Sequence, residues 1–68
     1  MDKSINKEEV LNYVRSTGYK TESELRDQFK DQNLEIMGGI LEYYVSYGLL
    51  RKIEYKSTAG NGVIYIAI

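Results

Sequence analysis

The sequence contains no cysteine and no histidine. The first absence removes disulfides, and the two together remove the softest metal ligands. They also remove the commonest acid–base side chain and the thiol nucleophile. No apolar run approaches the roughly 18 residues needed to span a bilayer. The opening segment, MDKSINKEEV, lacks the apolar stretch of a secretory signal. A dominant charge is missing too: nine basic side chains face ten acidic ones, for a net charge of -1. That balance is a poor match to a strongly basic nucleic-acid binder, although a local patch matters more than the sum. No repeat, linker or low-complexity segment interrupts the chain. These absences lead to the expectation of a non-enzymatic, cytoplasmic protein with no cofactor and no membrane partner.

What is present fits one small domain spanning all 68 residues. A chain of this length buries only about 60% of its unfolded surface. Without disulfides or metals, it depends on tight packing or on a second chain. Met1 to Ser4 is polar and expected to fray. Asn6 then reads as an N-cap, with Glu9 completing a capping-box-like pair and Ile5 and Val10 spaced as a hydrophobic staple. The spacing predicts a helix over Lys7–Thr17, burying Val10, Leu11 and Val14 and stopped by Gly18. Tyr19 and Lys20 form a short connector or one-bridge strand. Thr21 and Glu24 make a second capping box, opening a helix over Glu22–Asp31 with Leu25 and Phe29 on its buried face. A third helix, Leu34–Tyr47, carries Met37, Leu41 and Tyr44 at core spacing and ends before Gly48. Leu50–Lys56 and Val63–Ile68 read as strands of a hairpin, joined by a loop of about six residues, Ser57 to Gly62. The expected core is Leu11, Val14, Leu25, Phe29, Met37, Leu41, Tyr44 and Leu49.

This order, and above all Leu25 with Phe29 and the run Met37-x-x-x-Leu41-x-x-Tyr44-x-x-x-Gly48-Leu49-Leu50, resembles the winged helix-turn-helix superfamily. The resemblance covers Asn6 through Ile68. It implies an α+β fold of three helices followed by a two-stranded wing. In length the chain is similar to stand-alone FeoC-like proteins. Their cysteine cluster is absent here, so no iron–sulfur or metal role carries over.

The resemblance implies a DNA-binding transcription regulator acting as a homodimer on double-stranded DNA. In DNA-binding members the third helix enters the major groove. Here its outward positions include Glu35 and Glu42 and no basic residue, which suits direct readout poorly. The basic residues lie elsewhere: Arg51, Lys52 and Lys56 on the wing, Arg26 and Lys30 on the second helix, and Lys20 before it. These six are the candidate phosphate contacts.

A second function competes with the first. Ile36, Tyr43 and Tyr47 form an apolar stripe beside the core stripe of the third helix. With Ile66 of the last strand, they are the candidate contacts for a protein partner or a second copy. Against this, the tyrosines could lie half-exposed under the wing. Gly38-Gly39 inside the same helix marks either close packing of the second helix or a flat spot that admits another backbone. Enzyme motifs are missing. Gly60-Asn61-Gly62 lies between two strands and does not open a helix, as a phosphate loop would. Glu8-Glu9 and Glu22-x-Glu24 sit where helix dipoles favour carboxylates.

Overall fold

The computed structural model describes residues 6–58 and 60–68. The expected staple of Ile5 on Val10 and the fraying of Met1 to Ser4 lie outside these residues. Three helices and three strands alternate in the order α1 (Lys7–Thr17), β1 (Tyr19–Thr21), α2 (Glu22–Gln28), α3 (Leu34–Ser46), β2 (Leu50–Ser57) and β3 (Gly60–Ala67). The fold is α+β, with a three-stranded antiparallel sheet in the order β1-β3-β2. The connector around Lys20 is therefore a full third strand, and the sheet is not limited to the expected two-stranded hairpin. Its register sets Tyr19, Lys20 and Thr21 against Ile66, Tyr65 and Ile64. The Ala67 N–H extends the seam by donating to the Gly18 carbonyl at 2.8 Å.

Local chemistry places the helix starts. The Glu8 N–H donates to Asn6 Oδ1 at 2.8 Å, capping α1 without the reciprocal bond expected from Glu9. In α2 the full box forms: the Glu24 N–H donates to Thr21 Oγ1, and the Thr21 N–H donates to Glu24 Oε1. Asn33 caps α3 by accepting from the N–H groups of Glu35 and Ile36. Two glycines with positive φ provide the stops. Gly18, at φ 88°, donates to Val14. At the end of α3, Gly48 has φ 79° and donates to Val45, while the Leu49 N–H donates to Tyr44. That pair of bonds is a Schellman motif, which turns the chain sharply into β2.

α2 ends at Gln28, three residues before the expected Asp31. Phe29 drops into the core and meets Tyr13 edge-on, with ring centroids 5.8 Å apart. Phe29 is itself the C-cap, its N–H still donating to the Leu25 carbonyl at 3.1 Å. The hairpin turn is also tighter than expected. Pairing continues from Lys56↔Asn61 to Ser57↔Gly60, so Gly60, Asn61 and Gly62 belong to β3. The Tyr55 ring lies over Gly62, where a Cβ would project, so a side chain at 62 would require that half-exposed ring to swing aside.

One core joins both layers: Val10, Leu11, Val14, Leu25, Phe29, Met37, Ile40, Leu41, Tyr44, Leu50 and Tyr65. Leu49, expected inside, is 37% exposed, while its neighbour Leu50 is 1% exposed. The turn at Gly48 starts the strand alternation one residue later than the helical spacing suggested. From Leu50 onward, even-numbered positions of β2 face the helices. Val63, Tyr65 and Ala67 of β3 face the same way, and Val63 and Ala67 pack partly buried against the core. The other sheet face carries Tyr19, Arg51, Ile53, Tyr55, Ile64 and Ile66.

Candidate interaction surface

The six basic residues proposed from sequence do not all converge: Arg26 and Lys56 border one cleft between α2 and the hairpin, which the carboxylates Glu22 and Glu54 also line. Lys20 is only 7% exposed. Strand β1 turns its side chain inward, where the ammonium lies 4.6 Å from the centroid of the Tyr13 ring. The same ammonium donates to Thr17 Oγ1 at 2.8 Å. This is an interior cation, not a phosphate contact. Arg26 Nη2 pairs with Glu22 Oε1 at 2.7 Å along α2. Lys52 reaches across to α3, its Nζ 3.2 Å from Glu42 Oε1. That hydrogen bond, more than any other cause, holds the Lys52 ammonium pKa above its ordinary value. Lys30 is exposed in the turn after α2. Lys56 projects from the helix side of the hairpin and Arg51 from the opposite side. Neutralised pairs, one burial and two opposed faces leave no continuous basic track.

The apolar residues converge better. Ile36, Tyr43 and Tyr47 are exposed on one flank of α3, Tyr47 to 69%. The Tyr43 and Tyr47 rings are 4.7 Å apart. Lys7, at the start of α1, places its ammonium 4.8 Å from the Tyr43 centroid. These tyrosines therefore lie beside the α1 terminus and not under the wing. Together with Asn6, Glu8, Tyr44 and Leu49 they border a shallow groove of about 780 Å³. Burial, followed by the nearby Glu8 carboxylate, raises the Tyr44 phenol above its usual pKa. Ile40, on the adjoining turn of α3, is core. Ile66 is not part of this surface either. It sits on the outer sheet face between Tyr19 and Arg51.

Gly39 completes the flank. Its spacing from Ile36 and Tyr43 puts it between them on the helix surface. A Cβ built at Gly38 or Gly39 meets no neighbouring atom within 4 Å. The glycines are therefore not explained by a tight approach of α2, and Gly39 is an open flat spot. Each costs the helix about 1 kcal/mol relative to alanine. Changing Gly38 or Gly39 to alanine should stabilise the isolated domain by up to about 1 kcal/mol, raising the thermal midpoint by roughly 4–8 °C. Differential scanning calorimetry would check this, and a drop in midpoint would show that a neighbour does need the space.

Among the described residues no cluster of histidine, cysteine or carboxylate side chains could hold a metal ion. Among them, too, no helix is long and apolar enough to cross a membrane. Comparison of the chain with described protein families, curated proteins and solved structures found no match.

Proposed function

We propose that this chain is a winged-helix-type protein-interaction module in which α3 is a contact helix and not a reader of DNA. Support for the fold reading is the arrangement itself, with three helices and a following hairpin packed on one core, as the superfamily resemblance implies. A single observation carries the functional reading. The flank of α3 offers Ile36, Tyr43 and Tyr47 around the open backbone of Gly39, bordered by the Glu35 carboxylate, by Glu42 in its pair with Lys52, and by the Lys7 ammonium over Tyr43. Tyrosine suits such a role because it covers a large area while its hydroxyl finds a polar partner. A complementary partner presents an aliphatic ridge bordered by lysine or arginine, seated against Gly39. Duplex DNA presents no such ridge, and its phosphates are repelled by the Glu35 carboxylate, unpaired among the described residues.

The test compares three proteins: the native chain, a Tyr43→Ala/Tyr47→Ala variant, and a Lys30→Ala/Arg51→Ala/Lys56→Ala variant. In fluorescence anisotropy with a mixed-sequence duplex at about 0.1 M salt, none should bind with the steep salt dependence of a phosphate-contacting protein. A protein partner recovered with the native chain should be retained by the basic-residue variant. The tyrosine variant should lose about 2 kcal/mol or more of that affinity, roughly thirty-fold. Salt-dependent duplex binding that the basic-residue variant abolishes would overturn this reading in favour of a DNA-binding regulator.

A further inference from the structure

β2 is an edge strand, and its open side has a definite chemistry. The Ile68 N–H donates to the Leu49 carbonyl at 3.2 Å, and the next pair along the ladder is Leu50↔Ala67. Antiparallel pairs alternate between those that exchange hydrogen bonds and those that do not. Arg51, Ile53 and Tyr55 therefore bond to β3, while the N–H and C=O groups of Leu50, Lys52, Glu54 and Lys56 point away from it. The Ala67 N–H agrees with this phase, since it is directed to Gly18 on the other side of β3. Among the described residues no strand covers that edge, and every residue from 51 to 56 is exposed.

We infer that this edge pairs with the same edge of a second copy, as a two-fold antiparallel β2–β2 seam centred on Ile53. Hydrogen-bond phase and charge together select the register. The outward-pointing groups belong to even-numbered residues, so even must face even. Centring on Lys52 or Glu54 sets that residue against its own copy, like charge on like. Centring on Arg51 does the same with two guanidinium groups. Centring on Tyr55 leaves Leu50 to Lys52 without strand partners. Only the Ile53 centre pairs Leu50 through Lys56 along their length. It sets Lys52 against the other copy's Glu54, and Glu54 against its Lys52. On the outer face it sets Ile53 against Ile53, and Arg51 against Tyr55, where a guanidinium and a ring attract.

The result is a closed, isologous dimer with one continuous six-stranded sheet. Ile53, Ile64, Ile66 and Tyr19 of both copies then share a single outer face. Charges on an edge strand ordinarily deter pairing. Here the alternation of sign deters other edges and other registers while accepting its own copy. The α3 flank is not consumed, because Tyr43 and Tyr47 lie beside Lys7 and only Glu42 lies toward β2.

The test uses the full chain, which has no cysteine of its own. The two Ile53 Cα atoms would sit roughly 4.5 Å apart in a pair that exchanges no hydrogen bonds, close enough for a disulfide. Mild oxidation should therefore crosslink Ile53→Cys into a covalent dimer, and Tyr55→Cys should crosslink far less. In sedimentation at tens of micromolar, Glu54→Lys should weaken the native dimer at least about tenfold through like-charge contact. Adding Lys52→Glu to that variant, with Glu42→Gln in both so that the new carboxylate meets no like charge in its own chain, should restore affinity to within about threefold, since the pair across the seam is then only reversed. Circular dichroism establishes that each variant is folded. A native chain that remains monomeric at about 100 μM overturns the proposal. Preferential crosslinking of Tyr55→Cys, or a double variant no better than the single one, overturns the register.

Discussion

Leu41→Ala should remove about 2–5 kcal/mol of stability. Leu41 is 2% exposed at the middle of α3, in the cluster that joins Val14, Leu25, Met37, Leu50 and Tyr65. Truncation there loses the transfer energy of three carbons and leaves a void that helices on two sides cannot both close. A domain of this size has roughly 3–10 kcal/mol in total. The variant should therefore be largely unfolded, or should unfold in much less urea, when followed by circular dichroism. Leu34 on the same helix is exposed and provides the internal comparison. Leu34→Ala should cost under about 1 kcal/mol. Equal effects at the two positions would remove Leu41 from the core.

Lys20→Glu should be about as damaging, at roughly 3–5 kcal/mol, although one charge merely replaces another. The lysine ammonium rests over the electron-rich face of Tyr13 and donates to Thr17. A carboxylate meets the same ring face unfavourably. Nor can the Thr17 hydroxyl rescue it, because its proton is already donated to the Tyr19 carbonyl at 2.7 Å. The buried carboxylate would have a raised pKa in the folded state, so the fold binds its proton more tightly than the unfolded chain does. Stability of the variant should therefore increase as pH falls from 7 toward 5, the opposite of an ordinary exposed glutamate's indifference. Lys20→Met keeps the aliphatic stem and should cost only about 1–2 kcal/mol. Chemical denaturation at both pH values decides the matter. Unchanged stability in Lys20→Glu would return Lys20 to the surface.

Features decided by local chemistry were legible in the sequence. Asn6, Thr21 and Asn33 bond to backbone groups within three residues, and Gly18 and Gly48 stop helices by their own φ values. Features decided across the chain were not. Nothing near Gln28 marks the end of α2, and Phe29, expected within the helix, is its C-cap and meets Tyr13 of α1. Gly62 looks like a turn residue, yet it serves a tyrosine on the neighbouring strand. Leu49 and Leu50 are chemically the same, and only the turn between helix and strand tells them apart. Helical spacing grouped Ile36, Tyr43 and Tyr47 on one flank of α3 but left open whether the wing would lie over the tyrosines. The inward turn of Lys20 did not, since three residues of β1 are too few to show an alternation.

The strand order β1-β3-β2 bears on how the chain can be made. Both β1 and β2 pair only with β3, which comes after them in the sequence. During synthesis neither outer strand has a partner until β3 clears the ribosomal exit tunnel. The nascent chain can form α1, α2 and α3, but their apolar faces wait for Tyr65 and for the sheet that seats Leu50. Such distant pairings are slow to close. Closure of the sheet therefore waits on its last strand, and β1, β2 and the apolar helix faces stay uncovered until β3 arrives.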